Sequence, residues 1–118
     1  MIMENTKFSL ITNETQLVKS ILNAVNYYGF FWRNNTGANK INNGNGTRFV
    51  RFGLPGSSDI IGVYKGCFVA IEVKSERGRI SESQRKFSKH IADNGGIYIL
   101  AYSVDDALKG LLNDKRKN

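Results

Sequence analysis

Asp59-Ile60-Ile61-Gly62-Val63-Tyr64, then Lys65-Gly66, then Cys67-Phe68-Val69-Ala70-Ile71-Glu72-Val73-Lys74-Ser75 reads as two strands joined by a two-residue turn. With Lys65 and Gly66 as the turn, Tyr64 faces Cys67, and counting outward sets Asp59 opposite Glu72. Opposed residues share one face of a sheet, with Cβ atoms about 4.5–5.5 Å apart. Side chains alternate along a strand, so Lys74 joins Glu72 on that face and Val73 points the other way. Two facing carboxylates repel and call for something to neutralise them. A hard divalent cation, Mg2+ or Mn2+, is the economical answer, because such ions are held by one or two carboxylates with water and phosphate. The competing reading is a same-face ion pair between Glu72 and Lys74, with Asp59 capping a turn. Register decides between them, and a slip of one residue would send the two carboxylates to opposite faces.

Upstream of the hairpin, Leu17, Val18, Ile21, Leu22 and Val25 recur at helical spacing behind Thr12 or Asn13 as N-cap. A helix from about Asn13 to Tyr28, ended by Gly29, is expected. Glu14 then lies in its first turn, where a carboxylate is favourable for the helix dipole alone. Phe30-Phe31-Trp32-Arg33 reads as a short β segment. Residues 34–47, rich in Asn and Gly, read as a long loop. Arg48-Phe49-Val50-Arg51-Phe52 alternates as a half-buried strand would, and residues 53–58 form a turn into Asp59.

Downstream, residues 76–79 form a basic turn. Ser81 with Gln84 three residues later is a capping-box signature for a helix to about Asn94, with Phe87 and Ile91 on its buried side. Ile97-Tyr98-Ile99-Leu100-Ala101-Tyr102 is uniformly apolar, which suits a buried parallel strand better than an edge. Ser103 with Asp106 starts a last helix through Leu112. The helix between the Lys74 and Ile97 strands is a crossover, which makes those strands parallel. The expected fold is α/β, a mixed central sheet flanked by helices in the order αβββαβα. At 118 residues it is one domain, 1–118, with 1–11 and 113–118 as flexible ends.

Net charge is +7, with a pI near 9.7, which favours a polyanionic partner, nucleic acid before an anionic membrane surface. No stretch approaches the roughly 20 apolar residues of a membrane span. The first residues lack a signal-peptide pattern, and a single cysteine, Cys67, fits a reducing compartment; the cytoplasm is the expected location. Cys67 reads as packing, His90 as surface or core. Trp32 and Phe49 read as core residues rather than as stacking surfaces for splayed bases.

Gly53-Leu54-Pro55-Gly56-Ser57-Ser58-Asp59-Ile60-Ile61-Gly62, then Ile71-Glu72-Val73-Lys74-Ser75, then Gly78-Arg79-Ile80-Ser81-Glu82-Ser83-Gln84 resemble the VRR-NUC nucleases of the PD-(D/E)XK, restriction-endonuclease-like superfamily. The resemblance runs from about Glu14 to Ala107. It implies Mg2+- or Mn2+-dependent cleavage of DNA phosphodiesters and no organic cofactor. It implies Asp59 and Glu72 as metal ligands with the Val73 carbonyl as a third, Lys74 as the catalytic lysine, and Gln84 pointing into the site. Glu14 becomes the first-helix acid that completes an acidic cluster. Ser58 stands where the superfamily name expects proline, and Pro55 is displaced upstream. Small stand-alone members occur in bacteriophages, and by that likeness a homodimer cutting four-way or branched DNA in replication, repair or recombination is expected. Arg33, Arg48, Arg51, Lys65, Arg77, Arg79, Arg85 and Lys86 are the candidate DNA contacts, set around the site. The alternative function is a basic DNA-binding module that keeps the fold without turnover; the intact acidic set argues against it.

Overall fold

The structure, a computed structural model, describes residues 6–42 and 44–113. Helix α1 spans Thr6–Val25. No glycine or proline interrupts that run, so the helix begins about two turns before the expected start and Thr12 and Asn13 lie inside it. Residues 6–11, expected as part of a flexible end, are therefore helical; the expectations for residues 1–5 and 114–118 lie outside the described residues. Val18, Ile21 and Val25 are buried, each about one turn from the next. Past Val25 the chain turns into β1, Phe30–Arg33, with the Asn26 side chain accepting from the Phe31 amide at 2.7 Å and donating to its carbonyl at 3.2 Å.

The central sheet has four strands in the order β1, β4 (Ile60–Tyr64), β5 (Cys67–Val73), β6 (Ile97–Ala101). Strands β1, β4 and β5 are antiparallel, while β6 runs parallel to β5, as the crossover requires. Tyr64 pairs with Cys67 and Ile60 with Ile71, the register read from the sequence. Both turn residues have positive φ, Lys65 at 50° and Gly66 at 76°, the backbone of a tight hairpin whose twist suits the strands. Gly62 allows β1 to approach, since a Cβ there would lie 2.3 Å from the Phe30 carbonyl oxygen.

Helix α2, Glu82–Asp93, opens on the expected capping box at Ser81, and α3, Val104–Leu112, opens on Ser103. One sheet face, carrying Phe31, Ile60, Val69, Ile71, Val73, Ile97 and Ile99, packs under α1 and α3 through Ile21, Val25, Ala107 and Leu111. Fully burying an aliphatic side chain is worth about 1.5–3 kcal/mol, so this layer is the principal source of stability. Helix α2 covers only the β6 side of the other face, where Phe87 meets Tyr98 edge-on at 6.3 Å.

Three expectations need correcting. Strand β6 lies at an edge of the hydrogen-bonded order. Its apolar character comes from helices on both of its faces, not from a strand on each side. The segment expected as a loop contains β2, Gly37–Asn42, which pairs with β3, Thr47–Phe52, as a separate two-stranded ribbon. Five strands therefore lie between α1 and α2, more than the αβββαβα order allows. Finally, Trp32 is 44% exposed and Phe49 71% exposed. Trp32 lies on the sheet face that α2 leaves open, and Phe49 lies on the ribbon, which among the described residues joins no other strand. Cys67 is buried, its thiol donating to the Gly95 carbonyl, and His90 is on the surface. Among the described residues no helix is long and apolar enough to cross a membrane.

Candidate active site

One register step beyond the Ile60–Ile71 pair places Asp59 opposite Glu72, at the end of the hairpin remote from the turn. Asp59 precedes β4, held by its carbonyl, which accepts from the Asn34 amide at 2.8 Å, and by its carboxylate, which accepts from the Val73 amide at 2.8 Å. The Asp59 side chain thus reaches across to the partner strand beside Glu72.

Glu72 is only 4% exposed. Gln84 Nε2 donates to its Oε2 at 3.1 Å, and Lys74 Nζ lies 3.7 Å from the same oxygen. Glu72 Oε1 is buried and has no hydrogen-bond partner among the described residues. Burial, first, and the nearby Asp59 charge, second, push the Glu72 carboxyl up to about 8, against a smaller lowering by Lys74. In the absence of a cation this carboxyl therefore holds a proton near neutral pH. Two carboxyl groups set side by side, one of them buried, are a donor set for a divalent cation, so the residues present fit one.

Gln84 is placed by the start of α2, where its Oε1 accepts from the Ser81 amide at 2.8 Å and its own amide donates to Ser81 Oγ. Capping the helix and holding Glu72 are done by one side chain. Glu14 stands apart. It leaves α1 and accepts from the Ser75 amide at 3.0 Å, lining a cleft of about 340 Å3 with Ser75, Glu76 and Tyr102. No group of three or more His, Cys, Asp or Glu side chains able to hold a metal occurs among the described residues. The structure thus gathers Asp59, Glu72, Lys74 and Gln84, with Glu14 at the end of the same strand.

The expected basic residues divide by position. Arg77 and Arg79 lie on the turn that folds back over Lys74, where Gly78 comes close to the lysine stem. Arg85 follows Gln84 and is 3.8 Å from Glu82, and Lys86 is exposed on the same helix. Arg33 pairs in register with Ile60, so it is near Asp59 along the sheet but on the opposite face from Glu72. Arg48 and Arg51 are exposed on the ribbon. Lys65 is at the other end of the hairpin, over the Tyr64 ring at 5.3 Å, so it does not belong around the site as expected. The length of one strand separates them, about 16–20 Å at 3.3 Å per residue.

Two residues of the site were not anticipated. Tyr98 is opposite Ala70 in the β5–β6 register, on the face of Glu72, and its hydroxyl is buried beside that of Ser58. Burial and then the Glu72 charge push the Tyr98 hydroxyl up to about 12. Ser58 is fully buried, and its hydroxyl lies beside that of Tyr98, whose titration it lowers. Alternation along β6 would have put Tyr98 on this face had the parallel register been legible.

Residues 30–105, well over half of the chain, match the family model described as the VRR-NUC domain. No curated protein matches the chain. The matched span takes in Asp59, Glu72, Lys74 and Gln84 and leaves Glu14 outside.

Proposed function

This chain belongs to the VRR-NUC domain family, a family of nucleases, and from that premise we propose that it is a Mg2+- or Mn2+-dependent DNA endonuclease selective for branched DNA, four-way junctions among them. The observation that carries the proposal is Glu72, a buried carboxyl set beside that of Asp59, with Gln84 and Lys74 at one of its oxygens.

Asp59 and Glu72 would hold the cation, with the Val73 carbonyl beside them. When bound, the cation supplies charge neutralisation at the phosphate and a more acidic water. The Asp59 carboxylate is oriented by the Val73 amide and Glu72 by Gln84, so both acids are aimed before substrate arrives. Lys74 brings an ammonium to the same corner, where it would steady negative charge building on the phosphate oxygens and orient the attacking water. Glu14, through the Ser75 amide, fixes the strand end that carries Lys74. Arg77, Arg79 and Arg85 would meet flanking phosphates.

Selectivity for junctions goes with two copies and two sites. The open sheet face carries Phe30, Trp32, Val63 and Phe68 across β1, β4 and β5, with Phe30 68% exposed. An exposed apolar stripe of this kind supports a homodimer meeting at that face. Net positive charge and a lone cysteine support a cytoplasmic protein working on DNA, host cytoplasm if a bacteriophage encodes it.

The test is a cleavage panel in Mn2+ across single strands, duplexes, flaps and four-way junctions, run beside Glu72→Ala and Lys74→Ala. The expected result is junction cleavage by the wild type, and none in EDTA or in either variant. Full activity in EDTA, or in a folded Lys74→Ala protein, would overturn the proposal. Salt-dependent DNA affinity with no metal-dependent cleavage would identify a non-catalytic binding module.

A further inference from the structure

Between Glu14 and Asp59 the sequence contains no acidic residue, while Lys19, Arg33, Lys40, Arg48 and Arg51 all fall within that span. Its central part folds into the β2–β3 ribbon, which belongs to no larger sheet. Every residue of β3 except Val50 is exposed, including Arg48, Phe49, Arg51 and Phe52. An isolated two-stranded ribbon is marginal in water, and these side chains add nothing to the core. Cations interleaved with exposed aromatics suit a partner that offers phosphates and apolar base edges.

The root of the ribbon, by contrast, is firmly tied. Thr36 Oγ1 donates to the Phe52 and Leu54 carbonyls at 3.2 and 3.3 Å. Asn34 Nδ2 donates to Ser57 Oγ and to the Ser58 carbonyl, and its amide donates to the Asp59 carbonyl. On the other side, Gly56 lies so close to the start of α2 that a Cβ would sit 2.4 Å from the Ser83 carbonyl oxygen. The segment that leaves β3 therefore abuts Ser83, the residue before Gln84, and runs on into Asp59, while the segment that enters β2 is tied to it through Asn34 and Thr36. The ribbon stands at a fixed place beside the acid pair.

We infer that the β2–β3 ribbon is a duplex-binding arm that lies in the major groove of DNA next to the phosphodiester presented to Asp59 and Glu72. Its location relative to the scissile bond rests on the nuclease reading; the binding of duplex does not. Strands about 4.8 Å apart, with side chains on both faces, match a groove about 12 Å wide, whereas the minor groove at about 6 Å would first have to be widened. Six residues at about 3.3 Å each give an arm of roughly 20 Å, more than half of a helical turn of DNA. In the ribbon register Arg48 is opposite Ile41 and Arg51 opposite Ala38. By alternation Arg48 shares one face with Val50 and Phe52, and Arg51 shares the other with Thr47 and Phe49. A guanidinium on each face reaches phosphates on both walls of the groove, and arginine is also the side chain that reads guanine edges there.

The experiment measures affinity for a duplex of about three helical turns in EDTA, over a salt series, so that it reads binding whether or not the chain cleaves. Arg48→Ala combined with Arg51→Ala is expected to weaken duplex binding about tenfold or more and to flatten the log K against log salt slope by nearly two, at about 0.9 per lost phosphate contact. Arg48→Lys with Arg51→Lys should keep the slope. Phe49→Ser, a second variant at an exposed position, should lower duplex affinity with an unchanged melting temperature. Methyl green, a major-groove dye, should displace the duplex, and distamycin, a minor-groove ligand, should not. Unchanged duplex affinity in the paired alanine variant, losses confined to a single strand of the same length, or displacement by distamycin alone would each overturn the inference. Wild-type cleavage in Mn2+ is scored separately, so a chain that binds through the ribbon without cutting refutes the nuclease reading and leaves the arm standing.

Discussion

Gln84 Nε2 donates to Glu72 Oε2 at 3.1 Å while Gln84 Oε1 accepts from the Ser81 amide at 2.8 Å. A helix cap and an acid of the proposed site are thus held by the two ends of one amide. Gln84→Ala removes both links and should lower stability by about 1 kcal/mol, the usual size of a capping loss. Gln84→Glu can still accept from Ser81, so melting should fall less, yet it sets a carboxylate against Glu72. Thermal melts with Mn2+ cleavage rates should therefore separate the two, with Gln84→Glu retaining more stability and Gln84→Ala more activity.

The pH dependence of the metal-free protein follows from Glu72. Unfolded, its carboxyl titrates near the ordinary 4.5; folded, burial and Asp59 move it to about 8. Between those values the folded state holds the extra proton, so stability falls as pH rises through that window and levels off above it. The slope from this group is at most about 1.4 kcal/mol per pH unit. Denaturant midpoints in EDTA across the window should show the fall in wild type, and Glu72→Gln, which has no proton to lose, should be flatter.

Cation binding should expel that proton. At pH 7 the Glu72 carboxyl is largely protonated without metal, and a ligand oxygen must be ionised. Titration calorimetry of Mn2+ in buffers of differing ionisation enthalpy should report close to one proton released per site in wild type, and Mn2+ affinity should weaken as pH drops below about 8. In Glu72→Gln the proton release should vanish together with most of the affinity.

The hairpin was legible because a two-residue turn leaves little freedom. Once Lys65 and Gly66 adopt positive φ, every pair back to Ile60 and Ile71 follows, and Asp59 meets Glu72 by counting. The caps at Ser81 and Ser103 were legible for the same local reason. What failed depended on distant parts of the chain. Strand β2 is polar and exists because β3 pairs with it, so residues 37–42 carry no apolar alternation of their own. Trp32 and Phe49 look like core residues by type, and only the arrangement of α2 and the ribbon leaves them exposed. Tyr98 and Ser58 needed the parallel β5–β6 register and the packing above it. The basic residues read as a single ring around the site, but Lys65 lies a strand length away.

The open sheet face yields a test of assembly. Phe30 and Phe68 flank Val63 across three strands and are exposed, so aspartates there should leave the core under α1 and α3 intact. Sedimentation should show two-copy particles for wild type and single copies for Phe30→Asp combined with Phe68→Asp. Paired cutting of a four-way junction should give way to single nicks. A wild type that sediments as one copy both free and on junction DNA would refute assembly at this face.

Ser58 Oγ, Tyr98 Oη and Glu72 Oε1 are three buried oxygens gathered beside the acid pair, with few partners among the described residues. Buried polar atoms are nearly always satisfied, so this cluster is expected to host ordered water when a cation is in place. Tyr98→Phe keeps the ring that meets Phe87 edge-on and removes only the hydroxyl. In EDTA the hydroxyl's partner is the Ser58 hydroxyl, so its removal should cost no more than one ordinary hydrogen bond, about 0.5–1.5 kcal/mol. With Mn2+, loss of the water's anchor should weaken metal binding, up to the roughly 10–100-fold that removing an outer partner of a metal site brings. A Tyr98→Phe protein with unchanged Mn2+ affinity would show instead that the hydroxyl serves the fold alone.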